Sequence, residues 1–99
     1  MIVVTGSVTA REDTLGAVRE LSPEHVHRSR KEPGCISHAV HVDCENPLRL
    51  VFIEQWADRA ALQAHFAVPE TRAFAAYARD NAAETPELVV HEARSIRLS

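Results

Sequence analysis

Four consecutive apolar residues, Leu50-Val51-Phe52-Ile53, set the hardest constraint on this chain. Successive strand residues point to opposite faces, so a strand that is apolar at every position asks for cover on both sides. Ile2-Val3-Val4 makes the same demand within a first strand read over Ile2 to Thr9. Beyond it, Ala10 to Asp13 is a polar turn and Asp13 or Thr14 can cap a helix. Leu15, Val18, Leu21, His25 or Val26, and Ser29 then recur at three-to-four spacing, the mark of one helical face. Pro23 falls inside that face and predicts a kink near Leu21-Ser22, because its ring clashes with the preceding turn. Pro33-Gly34 stops the helix.

Ile36 to Asp43 alternates, with Ile36, His38, Val40 and Val42 of one parity, and Glu45-Asn46-Pro47 reads as a hairpin turn into the strand Arg49 to Trp56. Asp58 is placed to cap a helix with Leu62, His65 and Phe66 on its inner face. Pro69 breaks that helix. A second segment, with Phe74, Tyr77 and Ala78 facing one way, runs to Thr85-Pro86, and Leu88 to Arg97 reads as a last strand. The order is the split βαβ pattern of ferredoxin-like α+β folds, βαββαβ with a four-stranded antiparallel sheet. Residues 1–99 have the length of one domain. Helices would cover one face of the sheet, while the other would expose Val51, Ile53, Ala39 and Val89 together. Apolar patches of several hundred Å² rarely stay open on monomers, so a homodimer packed sheet to sheet is expected.

Charge and composition exclude several classes. A net charge of −3, with Lys and Arg scattered, gives no footprint for nucleic acid. No stretch approaches the ~18 apolar residues of a membrane span. Met1 to Thr5 lacks the charged start of a signal peptide, and a cytoplasmic protein is expected. Cys35 and Cys44 sit near the two ends of one strand, roughly 30 Å apart. A disulfide needs Cα atoms within about 7 Å, so both thiols should be free. The glycines form no phosphate-binding pattern. His25 and His27 would diverge on a helix, as His38 and His41 would on a strand, so no metal site or other cofactor is expected.

Strand parity suggests where chemistry could sit. Phe52, Glu54 and Trp56 share one face of the third strand, and His38 belongs to the matching face of the second. If that face meets the helices, these residues join His65, Phe66, Phe74 and Tyr77 in an aromatic-walled cavity with a few convergent polar groups. His65 is the candidate base, since an imidazole exchanges a proton near neutral pH. Glu54 is its candidate ion-pair partner, and Trp56 a flat apolar wall with one N–H donor. His38, Phe52, Phe66, Phe74 and Tyr77 are the candidate substrate contacts, with an edge or surface position as the plainer reading of His38.

Glu32-Pro33-Gly34-Cys35, the following strand, Asn46-Pro47, the strand ending Glu54-Gln55-Trp56 and the helix bearing His65-Phe66 form an ordered series. It resembles the antibiotic biosynthesis monooxygenase family, whose members commonly read as an E-P-G-C turn, a strand, D-P, a strand ending E-x-W and a helix with an inward His-hydrophobe pair. The likeness covers about residues 30 to 78 plus the strand–helix lead-in. It implies a dimeric α/β barrel and a cofactor-independent monooxygenase acting with O2 on a quinol or a polyketide of anthrone type, with His65 as base, Glu54 beside it and Trp56 as pocket wall. The alternative is a non-catalytic dimeric binding or stress-response module of the same fold. Haem-degrading relatives use an Asn on the first strand, a Trp on the second helix and a later His. This chain has no Asn in its first strand, and His65 and Ala75 at the other two places. Relatives that isomerise small phosphorylated carbonyl compounds need a basic cluster, which the chain lacks.

Overall fold

In the computed structural model, which describes residues 1–99, β1 (Ile2–Thr9) pairs along both of its edges. It runs antiparallel to β3 (Asn46–Trp56) on one side and to β4 (Glu87–Glu92) on the other. β2 (Cys35–Asp43) joins the outer edge of β3 and completes the order β2-β3-β1-β4. With α1 (Leu15–Ser29), α2 (Arg59–Ala67) and α3 (Pro69–Asp80), this is the α+β ferredoxin-like arrangement. No helix is long and apolar enough to cross a membrane.

Register decides which side chains meet the helices. Ile2, Val4 and Val8 lie opposite Trp56, Glu54 and Leu50, and all six are buried. At one end of the sheet Val8, Leu50 and Phe52 pack with Val18, Val26 and Ala78. At the other end Ile2, Val4 and Trp56 pack with Leu62. Glu54 stands on β3 between Phe52 of the first cluster and Trp56 of the second, so a polar centre separates two apolar ones. The helix-free face carries Ala39, Ile53, Thr5 and Val89 in a single cross-strand row. Ile53 is 43 % exposed and Val89 46 %, which leaves part of this apolar row open to solvent.

Local chemistry sets the ends of the elements. The Asp58 carboxylate accepts from the Ala61 N–H at 2.8 Å and caps α2, an interaction typically worth ~1 kcal/mol. Pro69 occupies the first turn of α3, where its missing N–H costs nothing. α1 continues through Pro23, and the Ser22 hydroxyl donates to the Val18 carbonyl one turn back. Gly34 has φ +81°, and a Cβ there would stand 2.5 Å from the Ala61 Cβ. Only glycine suits both the left-handed backbone and the close approach of α2. Both thiols are free: Cys44 is exposed, and Cys35 packs on the second apolar cluster. Burial, reinforced by Glu32 and Glu54, pushes the Cys35 thiol up, away from ready thiolate formation.

Four boundaries differ from the sequence expectations. A register shift between Cys35 and Ser37 puts Cys35, not Ile36, opposite Trp56, and Ile36 is left 55 % exposed. One extra residue is enough to reverse a side chain's face. The β2–β3 turn is Cys44-Glu45, with Asn46 and Pro47 already in β3. The Asp43 carboxylate accepts from the Glu45 N–H and supplies the turn chemistry assigned to Asn46-Pro47. α3 ends at Asp80, where the Asn81 side chain donates to the Tyr77 carbonyl. β4 ends at Glu92, the residue paired with Ile2 at the start of β1, and the Ala93 N–H donates to the Met1 carbonyl just beyond. Ile96 and Leu98 then lie outside the sheet and exposed.

Candidate active site

Three imidazoles from three different elements converge on Glu54. His25 comes from α1, His38 from β2 and His65 from α2, and all three are buried. His25 is on the inner face of α1 with Val18, Ser22, Val26 and Ser29. His38 lies directly across from Glu54 in the β2–β3 ladder. His65 lies one turn beyond Leu62 on the sheet side of α2, and its ring is 4.5 Å from the Trp56 ring between centroids. Neighbouring ring centroids within the trio are 5.4–5.6 Å apart.

Hydrogen bonds give these rings different roles. His65 Nδ1 stands 2.8 Å from Glu32 Oε1. A carboxylate oxygen accepts, so Nδ1 carries the hydrogen and the neutral ring keeps its lone pair on Nε2. That Nε2 is 3.8 Å from Glu54 Oε1. His25 is held the opposite way. Arg28 donates to its Nδ1 at 2.9 Å, and a guanidinium only donates, so the hydrogen of the neutral ring is on Nε2. His38 Nε2 is 3.3 Å from Glu54 Oε1, within reach but not aligned for a hydrogen bond, and neither His38 nitrogen has an aligned partner. Trp56 Nε1 donates to the same Glu54 oxygen at 2.9 Å.

Electrostatics follow from this packing. Burial alone would raise the Glu54 pKa. Facing His38, with the Trp56 N–H and His65 adding to it, outweighs burial and holds the carboxyl below its ordinary value. His25 is pushed down to about 3, first by burial and then by His38, His65 and Arg28, with Glu54 the opposing influence. Its ring stacks on Phe74 at 4.3 Å, nearly parallel.

A cavity of about 320 Å³ opens onto His25, Glu54 and His65. Phe52, Phe66 and Phe74 line it, and Gly6 opposite Phe52 leaves the floor without a side chain. Thr71 and Arg79 of α3 and the approach to β4 at Thr85–Leu88 complete its rim. A broader depression of about 810 Å³ around Met1, Arg59 and Glu92 has neither histidine nor aromatic ring, so the chemistry-bearing groups belong to the smaller one.

The structure brings some of the candidate residues together and sets others apart. His65, Glu54, Phe52 and Phe74 come together at the cavity. Phe66 lines it from a more open position, 39 % exposed, and not from the inner face of α2. Trp56 is fully buried outside the lining, and touches the cavity wall from behind, through its bond to Glu54 and its packing on the His65 ring. His38 is neither an edge nor a surface residue, being 1 % exposed, and it too lies outside the lining. Tyr77 packs against the apolar cluster around Phe52 and Ala78, away from the lining. Glu32 and His25 were not singled out for the site. Helical spacing puts His25 on the inner face of α1, but its ring neighbours lie on β2 and α2, out of reach of local pattern. Glu32 was part of a turn motif with no role for its side chain.

A family model described as antibiotic biosynthesis monooxygenase matches residues 1–77. Uncharacterized protein sll1783 of Synechocystis sp. is 33 % identical over 91 residues. That match takes in 92 % of this chain, which spans 62 % of the relative's length. A solved structure described as an antibiotic biosynthesis monooxygenase superposes with a TM-score of 0.88 at 28 % identity, covering 96 % of this chain and all of the other. Rv0793 from Mycobacterium tuberculosis also gives 0.88, at 22 % identity and 96 % coverage of each chain, a likeness of fold.

The depressed His25 pKa has a consequence for stability. Between pH 6.5 and about 3 the unfolded chain binds a proton at His25 that the folded chain refuses. Stability should therefore fall as the pH falls through this window, by at most about 1.4 kcal/mol per pH unit from this group. Urea midpoints from pH 7.5 to pH 4 should decline below pH 6.5, and His25→Phe should flatten that decline. A midpoint constant to pH 4 would contradict the burial of a neutral ring.

Proposed function

Because this chain belongs to the antibiotic biosynthesis monooxygenase family, we propose that the cavity oxidises a small electron-rich aromatic, a quinol or an anthrone-type polyketide, with O2 and without a cofactor. The observation that carries the reading is a pair of oppositely held imidazoles lining the cavity: the neutral His65 ring has its lone pair on Nε2, and the neutral His25 ring its hydrogen on Nε2. His65 takes the proton from an acidic C–H or phenol, and Glu32 stabilises the charge that its ring gains. His25 donates to the substrate oxygen on which negative charge develops. Phe52, Phe66 and Phe74 hold the ring system in apolar surroundings.

For an anthrone, loss of the C–H proton gives a carbanion that passes one electron to O2. The carbon radical and superoxide combine to a C–O–O⁻ peroxide, which regains the proton from His65. Loss of the second C–H proton expels hydroxide from the O–O bond, leaving a carbonyl and one water. The two oxygen atoms are thereby accounted for, one in the product and one in water. The protein binds, positions and moves a proton, a task suited to histidine in a dry pocket.

The working unit is proposed to be a homodimer with the two sheets face to face, which would cover the exposed row at Ile53 and Val89. Light scattering at micromolar concentration should give twice the 11.0 kDa chain mass, and a monomer would remove the claim. His65→Ala should lower O2 consumption with a panel of hydroquinones and anthrones by about 10²–10⁴-fold while the circular dichroism spectrum is kept. A folded variant with unchanged turnover, or a wild-type protein inert to the whole panel, would favour the non-catalytic binding module.

A further inference from the structure

We propose that His38, His65 and Glu54 form a binding site for a divalent first-row metal ion of the zinc type, with its fourth position open toward the cavity. The first observation is an unsatisfied group. His38 is 1 % exposed, yet both of its ring nitrogens lack a partner. Leaving such a nitrogen unpaired in the interior is unfavourable, and a ligand on Nε2 would remove the penalty at that atom.

The second observation is the spacing. His38 Nε2 and Glu54 Oε1 stand 3.3 Å apart without hydrogen-bond alignment, and His65 Nε2 is 3.8 Å from the same oxygen. A tetrahedral centre with bonds of about 2.0–2.2 Å sets its ligand atoms roughly 3.3–3.5 Å apart. Of its three edges one is thus already formed, the second needs a few tenths of an ångström of closure, and the third, between the two imidazoles, lies within 4.8 Å. Ligand atoms of His25, His38 and His65 all fall within 4.8 Å of one another.

The surroundings fit the same assignment. Glu32 accepts from His65 Nδ1, which aims the Nε2 lone pair inward, as an outer carboxylate does for a metal-bound imidazole. Trp56 steadies the Glu54 oxygen. Glu54 and His65 both line the cavity, which gives an ion a way in. His25 is not counted among the ligands, because Arg28 occupies its Nδ1 and leaves the hydrogen on Nε2. Two imidazoles and one carboxylate with an open position form a ligand set that zinc accepts. The same His65 lone pair cannot serve a metal and a proton at once, so occupancy would silence the base proposed above. The binding itself does not depend on that reading.

The test is titration of the chelator-treated protein with Co²⁺, followed by its visible absorption. Saturable uptake of one Co²⁺ per chain is expected, with a d–d band of tetrahedral intensity that Zn²⁺ abolishes. His38→Ala should eliminate the band. Glu32→Gln, at a partly exposed position outside the ligand set, should weaken binding by about 10–100-fold. If His38→Ala does not fold, by circular dichroism, Glu32→Gln decides alone. Absence of saturable binding would overturn the site. So would a band whose affinity is unchanged in folded His38→Ala or in Glu32→Gln, since the ion would then be held by exposed residues such as His27, His41, His91 or Cys44.

Discussion

The buried carboxylate of Glu54 is the interaction around which this molecule is arranged. It lies on the helix-facing side of β3 between two apolar clusters, and one of its oxygens meets the Trp56 N–H, His38 Nε2 and His65 Nε2. An unpaired carboxylate there would be costly; the Trp56 N–H bond offsets part of that cost, and the His38 and His65 rings from β2 and α2 pack beside the same oxygen. β2 brings His38 by register, while α2 brings His65 because Asp58 starts the helix and Gly34 lets it approach β2 closely. The polar centre therefore ties the hairpin to α2, and the cavity forms beside it where Gly6 has no side chain to fill the space.

Glu32 extends this arrangement to the far side of His65. The Glu32-Pro33-Gly34-Cys35 turn does two separate jobs within four residues. Gly34 accommodates Ala61 of α2, and Glu32 fixes the orientation and tautomer of the ring one turn further along that helix. A turn that looks like simple punctuation in the sequence is also part of the site. The opposite tautomer at His25, imposed by Arg28, gives the cavity a donor and an acceptor in the same chemical group type. Neither assignment requires the histidines to differ in sequence context, since each follows from what its Nδ1 meets.

Much of the fold was legible in local pattern. Alternation, helical spacing and the prolines placed every strand and helix in order, because those signals act within a few residues. The failures lie where a partner elsewhere decides. The extra residue near Ile36 is a matter of pairing with Trp56, and the end of β4 at Glu92 is a matter of its pairing with Ile2 of β1. The site divides the same way. His65, Glu54 and Phe52 were readable from parity and helical face. His25 and Glu32 were not, because their roles come from contacts with elements distant in sequence, and spacing along one helix or turn carries no trace of them. Trp56 and Tyr77 show the converse, since an aromatic on the correct face can still end behind the cavity wall.

The central claim is that Glu32 holds His65 with its lone pair on Nε2 at the cavity. Long-range ¹H–¹⁵N correlation spectra of ¹⁵N-histidine-labelled protein, with His65→Gln for assignment, measure this directly. At a pH where the ring is neutral, the account predicts a protonated Nδ1 and an unprotonated Nε2 for His65, and a shift away from that tautomer in Glu32→Gln. A His65 ring carrying its hydrogen on Nε2, or one whose tautomer ignores the loss of the Glu32 carboxylate, would contradict it.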